Sequence, residues 1–328
     1  MTRIVIIILL ILTLSPLTAG QEFTVMFYNV ENLFDTADDT TRNDEEFLPE
    51  GSRRWTANRY NKKINALSRA ISAAAEWELP ALIGLCEVEN EEVVKDLAFG
   101  TILSAGNYGV VHTDSPDLRG IDVALLYRHD WLRIAEVRSW VPERPDSDPF
   151  LSRNLLYVKA VMDPDTLHVI VCHFPSRRGG VLATQGAREE MAQLLRAKTD
   201  SLLSATVDAA IIVMGDFNAG PGEEIMRDIT RGDLLVNAAG LLSSGEMGTY
   251  RYQGQWEVID QLLVSPSMAE GSGPFHALME SVRVPDASFL FTDDPDYPGK
   301  KPFATYGGFR WAEGYSDHLP VLITVRHR

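Results

Sequence analysis

Six short polar motifs lie along this chain, each where an apolar, strand-like run ends. They are Phe27-Tyr28-Asn29-Val30-Glu31, Leu85-Cys86-Glu87-Val88-Glu89-Asn90, Cys172-His173-Phe174-Pro175, Gly215-Asp216-Phe217-Asn218, Ile259-Asp260-Gln261 and Ser316-Asp317-His318-Leu319-Pro320. Carboxylates, amides and imidazoles at strand ends are the side chains that a hydrolytic metal site requires. One such motif is common in ordinary turns, whereas six in one chain predict a catalytic site.

Two of these motifs contain the strongest candidates for metal ligands. Glu87 ends the apolar run 81–86, and a carboxylate buried there is costly unless it is paired or bound to a cation. Mg²⁺ is a natural partner because it prefers oxygen ligands. Asn29 holds the same position at the end of the first predicted strand. The alternative for Glu87 is a carboxylate that simply reaches solvent.

Other motifs combine acids and amides with histidine. Asp216 and Asn218 can orient a water and a phosphoryl oxygen, although a simple Asp/Asn turn explains them too. His318, beside Asp317, titrates near neutral pH and can act as a base or as a cation facing phosphate. Asp260 offers a buried carboxylate of the kind that fixes an imidazole's tautomer and raises its basicity.

Basic residues near these motifs suit an anionic substrate. His173 ends a predicted strand, and Arg177 and Arg178 follow it, which is a favourable combination for phosphate. A solvated surface turn is the alternative for the arginines. If a second basic cluster converges with these arginines, it forms a phosphate track, with Trp55 and Tyr306 available for stacking on bases. Solvated surface charges and core aromatics are the equal alternative. That cluster comprises Arg53, Arg54, Arg59, Lys62 and Lys63.

Apolar periodicity predicts the elements that carry the motifs. Helices are expected over 57–77, with Thr56 as a capping residue, and over 91–103 and 184–203. Strands are expected over 23–29, 81–87, 108–112, 122–128, 131–140, 155–162, 167–173, 209–214, 258–264 and 320–328. Strands outnumber helices, and hairpin-like pairs alternate with crossovers. This pattern favours one domain of mixed sheets with outer helices over a doubly wound parallel sheet.

Composition and the N-terminus limit the location and the partners. The 328 residues carry a formal net charge of −16, so a bound polyanion must be held by a local basic patch or a metal ion. Residues 1–20 have the pattern of a secretory signal peptide, which predicts a secreted or periplasmic mature chain over residues 21–328. An uncleaved anchor is the alternative. Cys86 and Cys172 can pair in such a compartment, but two buried thiols are favoured.

The motifs at 215–218 and 316–320, in that order, resemble the signature of the endonuclease/exonuclease/phosphatase superfamily of metal-dependent phosphoesterases. This group includes deoxyribonucleases, abasic-site endonucleases, sphingomyelinases and inositol-polyphosphate phosphatases. The similarity extends from about Phe23 to Val325. It implies a four-layer α/β/β/α sandwich, with the site at one edge of two packed mixed sheets.

The resemblance also implies a role for each matching residue. Glu87 is expected to be the main metal ligand, with Asn29 and Asp317 beside it. His173 and Asn218 are expected to contact the scissile phosphate.

The remaining matches divide the acid–base and substrate roles. Asp216 is expected to align the attacking water or assist the leaving group, and Asp260 to orient His318, the second catalytic histidine. Arg119 and Tyr127 are candidates for a substrate contact that the family often has in its middle segment. No carboxylate that would steady His173 is identifiable.

These observations predict a secreted, divalent-metal-dependent phosphoesterase. The favoured activity is that of a nuclease hydrolysing DNA or RNA by in-line attack of an activated water, with Mg²⁺ as cofactor and Mn²⁺ or Ca²⁺ as alternatives. A sphingomyelinase-like or inositol-phosphate-directed enzyme is the nearest alternative, and a catalytically silent binding module is more remote. Only the segment 289–291 has the composition of a membrane-inserting stretch. No protein partner and no membrane span after signal cleavage are expected.

Overall fold

Two six-stranded mixed sheets face each other and carry helices on their outer surfaces. The computed structural model describes residues 20–76, 78–145, 147–177, 180–242 and 247–328. The predicted signal peptide therefore lies outside the described residues, apart from Gly20. No helix within the described residues has the length and apolar character that a membrane crossing requires.

The strands follow the polar motifs and apolar runs closely. Their bounds are β1 Gln21–Leu33, β2 Leu82–Val88, β3 Tyr108–His112, β4 Asp122–Arg128, β5 Arg133–Trp140, β6 Leu155–Met162, β7 Asp165–His173, β8 Ala210–Asp216, β9 Val236–Asn237, β10 Tyr250–Tyr252, β11 Gln255–Glu257, β12 Asp260–Val264, β13 Phe275–Arg283, β14 Phe291–Asp293, β15 Lys300–Pro302, β16 Tyr306–Gly307, β17 Arg310–Trp311 and β18 Val321–His327. Every strand predicted from the sequence is present within a few residues. Strand β13 and the short strands β9 to β11 and β14 to β17 were not predicted.

Both large sheets are mixed, as predicted. The first has the order β13-β18-β1-β2-β4-β3, and the second has the order β5-β6-β7-β8-β12-β9. Each contains one parallel pair, β1 with β2 and β7 with β8, among antiparallel neighbours. Because parallel strands end at the same sheet edge, the ends of β1 and β2 lie together, as do those of β7 and β8.

Three apolar layers separate the four layers of secondary structure. The inner faces of both sheets meet in a core that includes Phe27, Val169 and Ile323. The outer face of the first sheet packs under helices α1 and α2, and that of the second packs under α3 and α4. The predicted α/β/β/α sandwich is confirmed.

The three predicted helices are present as α1, α2 and α3, whereas the short helices α4 and α5 were not predicted. Their bounds are α1 Ala57–Ala75, α2 Glu91–Phe99, α3 Val181–Ala205, α4 Glu224–Thr230 and α5 Pro266–Glu270. The predicted helix over 91–103 instead ends at Phe99, and a short 3₁₀ turn follows over Ile102–Gly106. Thr56 occupies the position before α1, but its side chain makes no capping hydrogen bond.

Candidate active site

The six motifs converge at one edge of the sandwich because of strand register. His173 at the end of β7 lies opposite Asp216 at the end of β8, which lies opposite Asp260 at the start of β12. In the facing sheet, Asn29 in β1 is paired with the residue that precedes Glu87 in β2. All five side chains therefore leave the ends of packed strands at the same edge.

The 316–318 segment is fastened to this edge by Ser316. The Ser316 hydroxyl donates to the backbone carbonyl of Asn29 at 2.7 Å and accepts from the backbone N–H of His318 at 3.1 Å. Leu319 N–H donates to the Thr249 carbonyl at 2.7 Å. These bonds place Asp317 and His318 beside the strand ends, although they are almost 290 residues from Asn29 in the chain.

Irregular backbone directs the acids into the site. Glu87 has a φ of 61° and sits in a β-bulge between β2 and β4. Asn218 also has a positive φ, of 49°. A positive φ is costly for a non-glycine residue, and bulges turn a side chain away from the regular pleat. Strain of this kind clusters at functional sites.

Asn29 links the two sheets across the site. Its Nδ2 donates to Asp216 Oδ2 at 3.1 Å and reaches Glu87 Oε1 at 3.4 Å, while its Oδ1 accepts from the backbone of Glu31 at 3.0 Å. The other Glu87 oxygen accepts from Asn32 N–H at 3.0 Å. Two carboxylates from different sheets thus share one amide donor.

His318 and Asp260 form a buried acid–imidazole pair. His318 Nδ1 lies 2.8 Å from Asp260 Oδ2, and both residues are buried. Burial lowers the pKa of His318, but the carboxylates of Asp260, Asp317 and Asp216 together outweigh burial, with Asp260 contributing most, so this pKa lies well above its ordinary value. Nε2 of the same ring is 3.9 Å from Asp216 Oδ2. A positively charged imidazole therefore faces Asp216.

His173 also lies close to Asp216, but its protonation state differs from that of His318. Its Nε2 lies 3.8 Å from Asp216 Oδ2 and 4.0 Å from Glu87 Oε1. Burial, followed by the charges of Arg153 and Arg119, lowers the pKa of His173 well below its ordinary value. Its Nδ1 has no hydrogen-bond partner in the described part of the chain. His173 is therefore neutral, and guanidinium groups lie near it where a steadying carboxylate was sought.

Asp216 is the acid between the two histidines. It is almost fully buried, and burial together with the Asp260 charge raises its pKa to about 7. Its Oδ1 accepts from the backbone N–H of Asn218 at 2.8 Å. The Asn218 amide donates to the Phe174 carbonyl at 3.1 Å, and an amide nitrogen carries a second donor.

The position of Lys63, a buried lysine close to Glu31, differs from the prediction. Lys63 is fully buried in α1, so it is not a surface member of a phosphate track. Its Nζ contacts Thr305 and donates to the Tyr315 carbonyl at 2.6 Å. The same nitrogen lies 3.9 Å from Glu31 Oε2. Burial lowers the pKa of Lys63 to about 8, and burial with the Asp317 charge raises that of Glu31 to about 7.

The predicted stacking residues are also mostly interior. Trp55 is completely buried and Tyr306 is 8% exposed, in an aromatic cluster with Phe34 and Phe47. Of this region, Phe309 is the aromatic that is largely exposed. Trp55 is held in this cluster by its indole N–H, which donates to the Phe34 carbonyl at 2.9 Å.

The donor set fits a hard divalent cation. Glu87 and Asp317 offer carboxylate oxygens of the kind that Mg²⁺ prefers. Asn29, predicted as a third ligand, instead turns its amide nitrogen towards Glu87 and Asp216, and its oxygen accepts from the Glu31 backbone N–H. Burial raises the pKa of Asp317, as it does for Glu31, so negative charge is crowded into a poorly solvated region, and a bound cation would relieve that crowding. A more compact group is formed by Asp216, Asp260 and His318, whose ligand atoms lie within 4.8 Å of one another. In that group, however, the His318 Nδ1 already pairs with Asp260.

The four predicted substrate contacts have different positions. Tyr127 is not at the site: it pairs with Leu82 at the opposite end of β2 from Glu87, because the strand that carries it runs antiparallel to β2. Arg177 braces the turn after β8, donating to the Asn218 carbonyl at 2.7 Å and to Glu257 and Glu223 at 3.1 and 2.6 Å.

The other two predicted substrate contacts are Arg119 and Arg178. Arg119 is near enough to His173 to depress its pKa, and its Nε is 3.7 Å from Asp117 Oδ1. Arg178 lies outside the described residues.

Sequence reasoning missed Arg153. This arginine is 4% exposed, and it donates to Asp117 Oδ2 at 2.9 Å and to the Phe174 carbonyl at 2.7 Å. It precedes β6, and β6 runs antiparallel to β7, which brings it back to the His173 end. The only local signal was an arginine immediately before an apolar run, which is not specific.

The two cysteines do not pair. Both are buried free thiols, Cys86 in the core between the sheets and Cys172 on the outer face of the second sheet. The favoured interpretation from the sequence is confirmed.

Two packed mixed sheets with buried acids and histidines at one edge define a class of phosphoesterases. The chain belongs to the Endonuclease/Exonuclease/phosphatase family, whose model matches residues 24–327. Members of this family are divalent-metal-dependent phosphoesterases, in keeping with the acid–histidine groups described above.

Solved structures share this fold at low sequence identity. An endonuclease/exonuclease/phosphatase family protein from Bacteroides thetaiotaomicron is 17% identical with a TM-score of 0.61, covering 94% of this chain and 99% of its own. A mannosyl-6-phosphatase from the same species is 16% identical with a TM-score of 0.59, covering 92% and 99%. Truncated Caenorhabditis elegans TDP2 is 15% identical with a TM-score of 0.56, covering 93% and 97%. No curated protein matches the chain.

Proposed function

We propose that this protein is a secreted, divalent-metal-dependent phosphodiesterase that hydrolyses nucleic acid. The observation that carries the proposal is the pair of histidines on either side of Asp216. His318, paired with Asp260, is held positive, while His173, near two guanidinium groups, is held neutral. Two histidines with opposite pKa shifts around one acid are typical of a catalytic site, and here they supply a cation and a neutral imidazole on either side of Asp216.

Each residue then has a role that its geometry supports. Asp216, with a pKa raised to about 7, can take the proton of an attacking water near neutral pH. As the water oxygen bonds to phosphorus, the P–O bond to the leaving oxygen breaks, and that oxygen takes a proton from solvent. The His318 imidazolium donates from Nε2 to a phosphoryl oxygen, and the amide of Asn218 adds a second donor. Asp260 stabilises the charged form of His318 without itself touching the substrate.

Glu87 and Asp317 would hold the divalent cation, with Asn29 beside them donating to Glu87 and Asp216. When bound, Mg²⁺ or Mn²⁺ would polarise a phosphoryl oxygen and lower the pKa of a bound water. Glu31 and Lys63, which lie behind these ligands, fix the 305–315 segment: Glu31 accepts from Thr305 N–H at 2.6 Å. That contact keeps Asp317 beside the end of β1.

A phosphomonoesterase is the second candidate, because a solved neighbour carries the name mannosyl-6-phosphatase. A lipid-directed enzyme has less support. In the 289–291 segment, Leu290 is buried and both phenylalanines pack against the core, so this stretch does not form an exposed apolar tip.

A substrate panel tests the proposal. Plasmid DNA, RNA, sphingomyelin, inositol phosphates and mannose 6-phosphate are incubated with purified protein and Mg²⁺ or Mn²⁺, with parallel EDTA controls. Metal-dependent cleavage of nucleic acid supports the proposed function. Release of phosphate from the monoester alone would replace it with the second candidate, and no turnover on any substrate would favour a binding module. Secretion is tested by determining the N-terminal residue of protein recovered outside the cytoplasm, which is expected to be Gln21.

A further inference from the structure

A cavity of about 310 Å³ lies where three segments of the first sheet meet: the loop after β1, the end of β2 and the loop between β3 and β4. Its described lining contains one arginine and six carboxylates. These are Asp35, Asp38, Asp39, Glu89, Asp114 and Asp122. Acidic surfaces are common, so their charge alone does not identify a ligand. The wall formed by Asp114 and Asp122 has more specific chemistry.

His112 adds an imidazole to this wall. His112 ends β3 and is paired with Ala124 in β4, and Asp122 lies two residues before Ala124. Because side chains alternate along a strand, His112 and Asp122 leave the same face of the sheet. One ligand atom from each of His112, Asp114 and Asp122 lies within 4.8 Å of the others. We call these three residues the His112 cluster.

The His112 ring is buried, and its Nε2 makes no hydrogen bond. The side chains of His112 and Asp122 are each 4% exposed, and His112 Nε2 lies 3.2 Å from Asp122 Oδ2. Nevertheless, Nε2 has no hydrogen-bond partner within the described residues, so this contact lacks the direction of a hydrogen bond. A buried polar atom in this state is uncommon, and a ligand at the cluster would satisfy it.

The distances and donor types of the His112 cluster fit a tetrahedral metal ion. Two ligand atoms bonded at about 2.0 Å to such an ion lie about 3.3 Å apart, close to the observed separation of 3.2 Å. Asp114 Oδ1 lies 4.0 Å from His112 Nδ1, and the Asp114 side chain is 84% exposed, so its carboxylate can rotate towards an ion. An imidazole with two carboxylates suits Zn²⁺ better than Mg²⁺, which prefers oxygen ligands.

Hydrogen bonds around the His112 cluster hold two of its members in place. Asp122 Oδ1 accepts from the Ser115 backbone N–H at 2.9 Å, while Oδ2 is the atom near His112. The backbone carbonyl of Asp114 accepts from the Asn154 amide at 2.9 Å. Contacts of this kind orient the ligands of a metal and are part of a built site.

We propose that His112, Asp114 and Asp122 bind a divalent transition-metal ion such as Zn²⁺, with water completing the coordination. This ion is distinct from the cation assigned to Glu87 and Asp317, and the proposal does not depend on the reaction that the protein catalyses. Its role is structural, because it joins the end of β3 to the start of β4.

The ion would close the base of the 113–121 loop, which borders the candidate catalytic residues. This loop carries Asp117, which pairs with the buried Arg153 at 2.9 Å, and Arg119, whose charge acts on His173. A metal at the His112 cluster would therefore hold the loop in the position that these contacts require.

Zinc binding by the full chain tests the proposal. Protein stripped with EDTA is titrated with Zn²⁺ in competition with a chromogenic chelator, which gives the number of ions bound and each Kd. The wild type is expected to bind one Zn²⁺ more than His112→Gln. Asp114→Asn changes an exposed side chain and leaves the core intact. It is expected to weaken this ion by at least about tenfold, since losing even an outer contact of a metal ligand costs that much.

Two controls assign the ion to the His112 cluster. His327 Nε2 lies 2.8 Å from Asp165 Oδ2, but no third metal-ligating group accompanies this pair in the described part of the chain. His327→Gln is therefore expected to leave zinc binding unchanged. Glu87→Gln, which removes a ligand of the proposed catalytic cation, is expected to retain the ion at the His112 cluster.

A spectroscopic measurement gives an independent result. Co²⁺ bound to the wild type is expected to show visible absorption bands of a four-coordinate ion, and Asp114→Asn is expected to lose these bands at the same Co²⁺ concentration. Equal zinc stoichiometry and Kd in the wild type and Asp114→Asn would overturn the proposal, even if His112→Gln does not fold. So would loss of the ion in Glu87→Gln but not in Asp114→Asn. His112 and Asp122 would then be an ordinary ion pair.

Discussion

The substitution Asp260→Asn tests the acid–imidazole pair most directly. It preserves the size of the side chain and leaves an oxygen that can accept from His318 Nδ1. It removes the largest of the three carboxylate contributions that raise the pKa of His318, leaving those of Asp317 and Asp216. The pKa of His318 is therefore expected to fall, so that less of the imidazole is charged near neutral pH and its stabilisation of charge on the phosphoryl group weakens.

The magnitude follows from the geometry of the pair. The Asp260 and His318 atoms are 2.8 Å apart and both residues are buried. Opposite charges with centres about 4 Å apart interact by about 4 kcal/mol at an effective dielectric constant of about 20. Because the amide retains a weaker hydrogen bond, we expect kcat to fall by about 10² to 10³, within the range for acid–base catalysis.

The chain contains a matched control for this substitution. His327 Nε2 lies 2.8 Å from Asp165 Oδ2, which is the same pair at the same distance. It lies at the opposite end of the sandwich, where β7 begins and β18 ends. Asp165→Asn is therefore expected to leave kcat within about twofold of the wild type, since it lies outside the site.

The assay is hydrolysis of bis(p-nitrophenyl) phosphate with Mn²⁺ across a pH range, alongside thermal unfolding. A raised pKa in the folded state stabilises the protein fully below the unfolded value of 6.5, and this stabilisation declines as pH rises through the folded value. The Tm difference between wild type and Asp260→Asn is therefore expected to be largest at acidic pH. An Asp260→Asn protein that turns over within about threefold of the wild type, with an unchanged pH profile, would refute the assigned role.

Three further outcomes are expected. Mg²⁺ or Mn²⁺ is expected to raise the Tm of the wild type, since a ligand at 100 times its Kd stabilises the folded protein by about 2.7 kcal/mol. Glu87→Gln removes a carboxylate ligand and should lose most of this Tm shift. Equal Tm shifts for the two proteins in scanning calorimetry would contradict the ligand assignment. In EDTA, the wild type is expected to lose stability as pH rises from about 4 to 7. Burial raises the pKa of Asp216 from 3.8 to about 7, so in this pH range the native state binds a proton that the unfolded chain has released. Asp216→Asn should flatten this dependence in urea titrations, and parallel pH profiles would argue against the shift. Cys86 and Cys172 are buried free thiols, so they are expected to react with a thiol reagent only after denaturation. A reducing agent should leave the Tm unchanged, and a Tm lowered by reductant would indicate a disulfide.

Much of the fold could be predicted because its signals are local. Apolar runs that end at polar motifs marked the strands, and the apolar stripe of α1, with Leu67 and Ile71 buried, marked a helix. Strand β13 escaped because its burial is only partial along much of its length, which blurs the alternation that identifies strands. The segment after it forms short hairpins whose two- and three-residue strands carry no periodicity.

The substrate contacts could not be predicted because their positions depend on strand direction and on distant partners. Tyr127 and Arg119 are only eight residues apart in the sequence, yet β4 carries one away from the site while the loop before it keeps the other near His173. Arg177 looked available, but three hydrogen bonds occupy it. Nothing in the neighbourhood of Lys63 in the sequence indicates that the 305–315 segment will bury it.

The sequence by itself determined the chemical groups of the site and the strand ends that carry them, since a carboxylate or imidazole next to an apolar run can be recognised from the local sequence. Its apolar pattern also indicated mixed sheets with outer helices, while the four-layer sandwich was implied by the resemblance to the family. Only the tertiary structure decided the protonation of those groups. A pKa is set by burial and by charges from other parts of the chain, and here those charges make one histidine positive beside Asp260 and the other neutral beside Arg153.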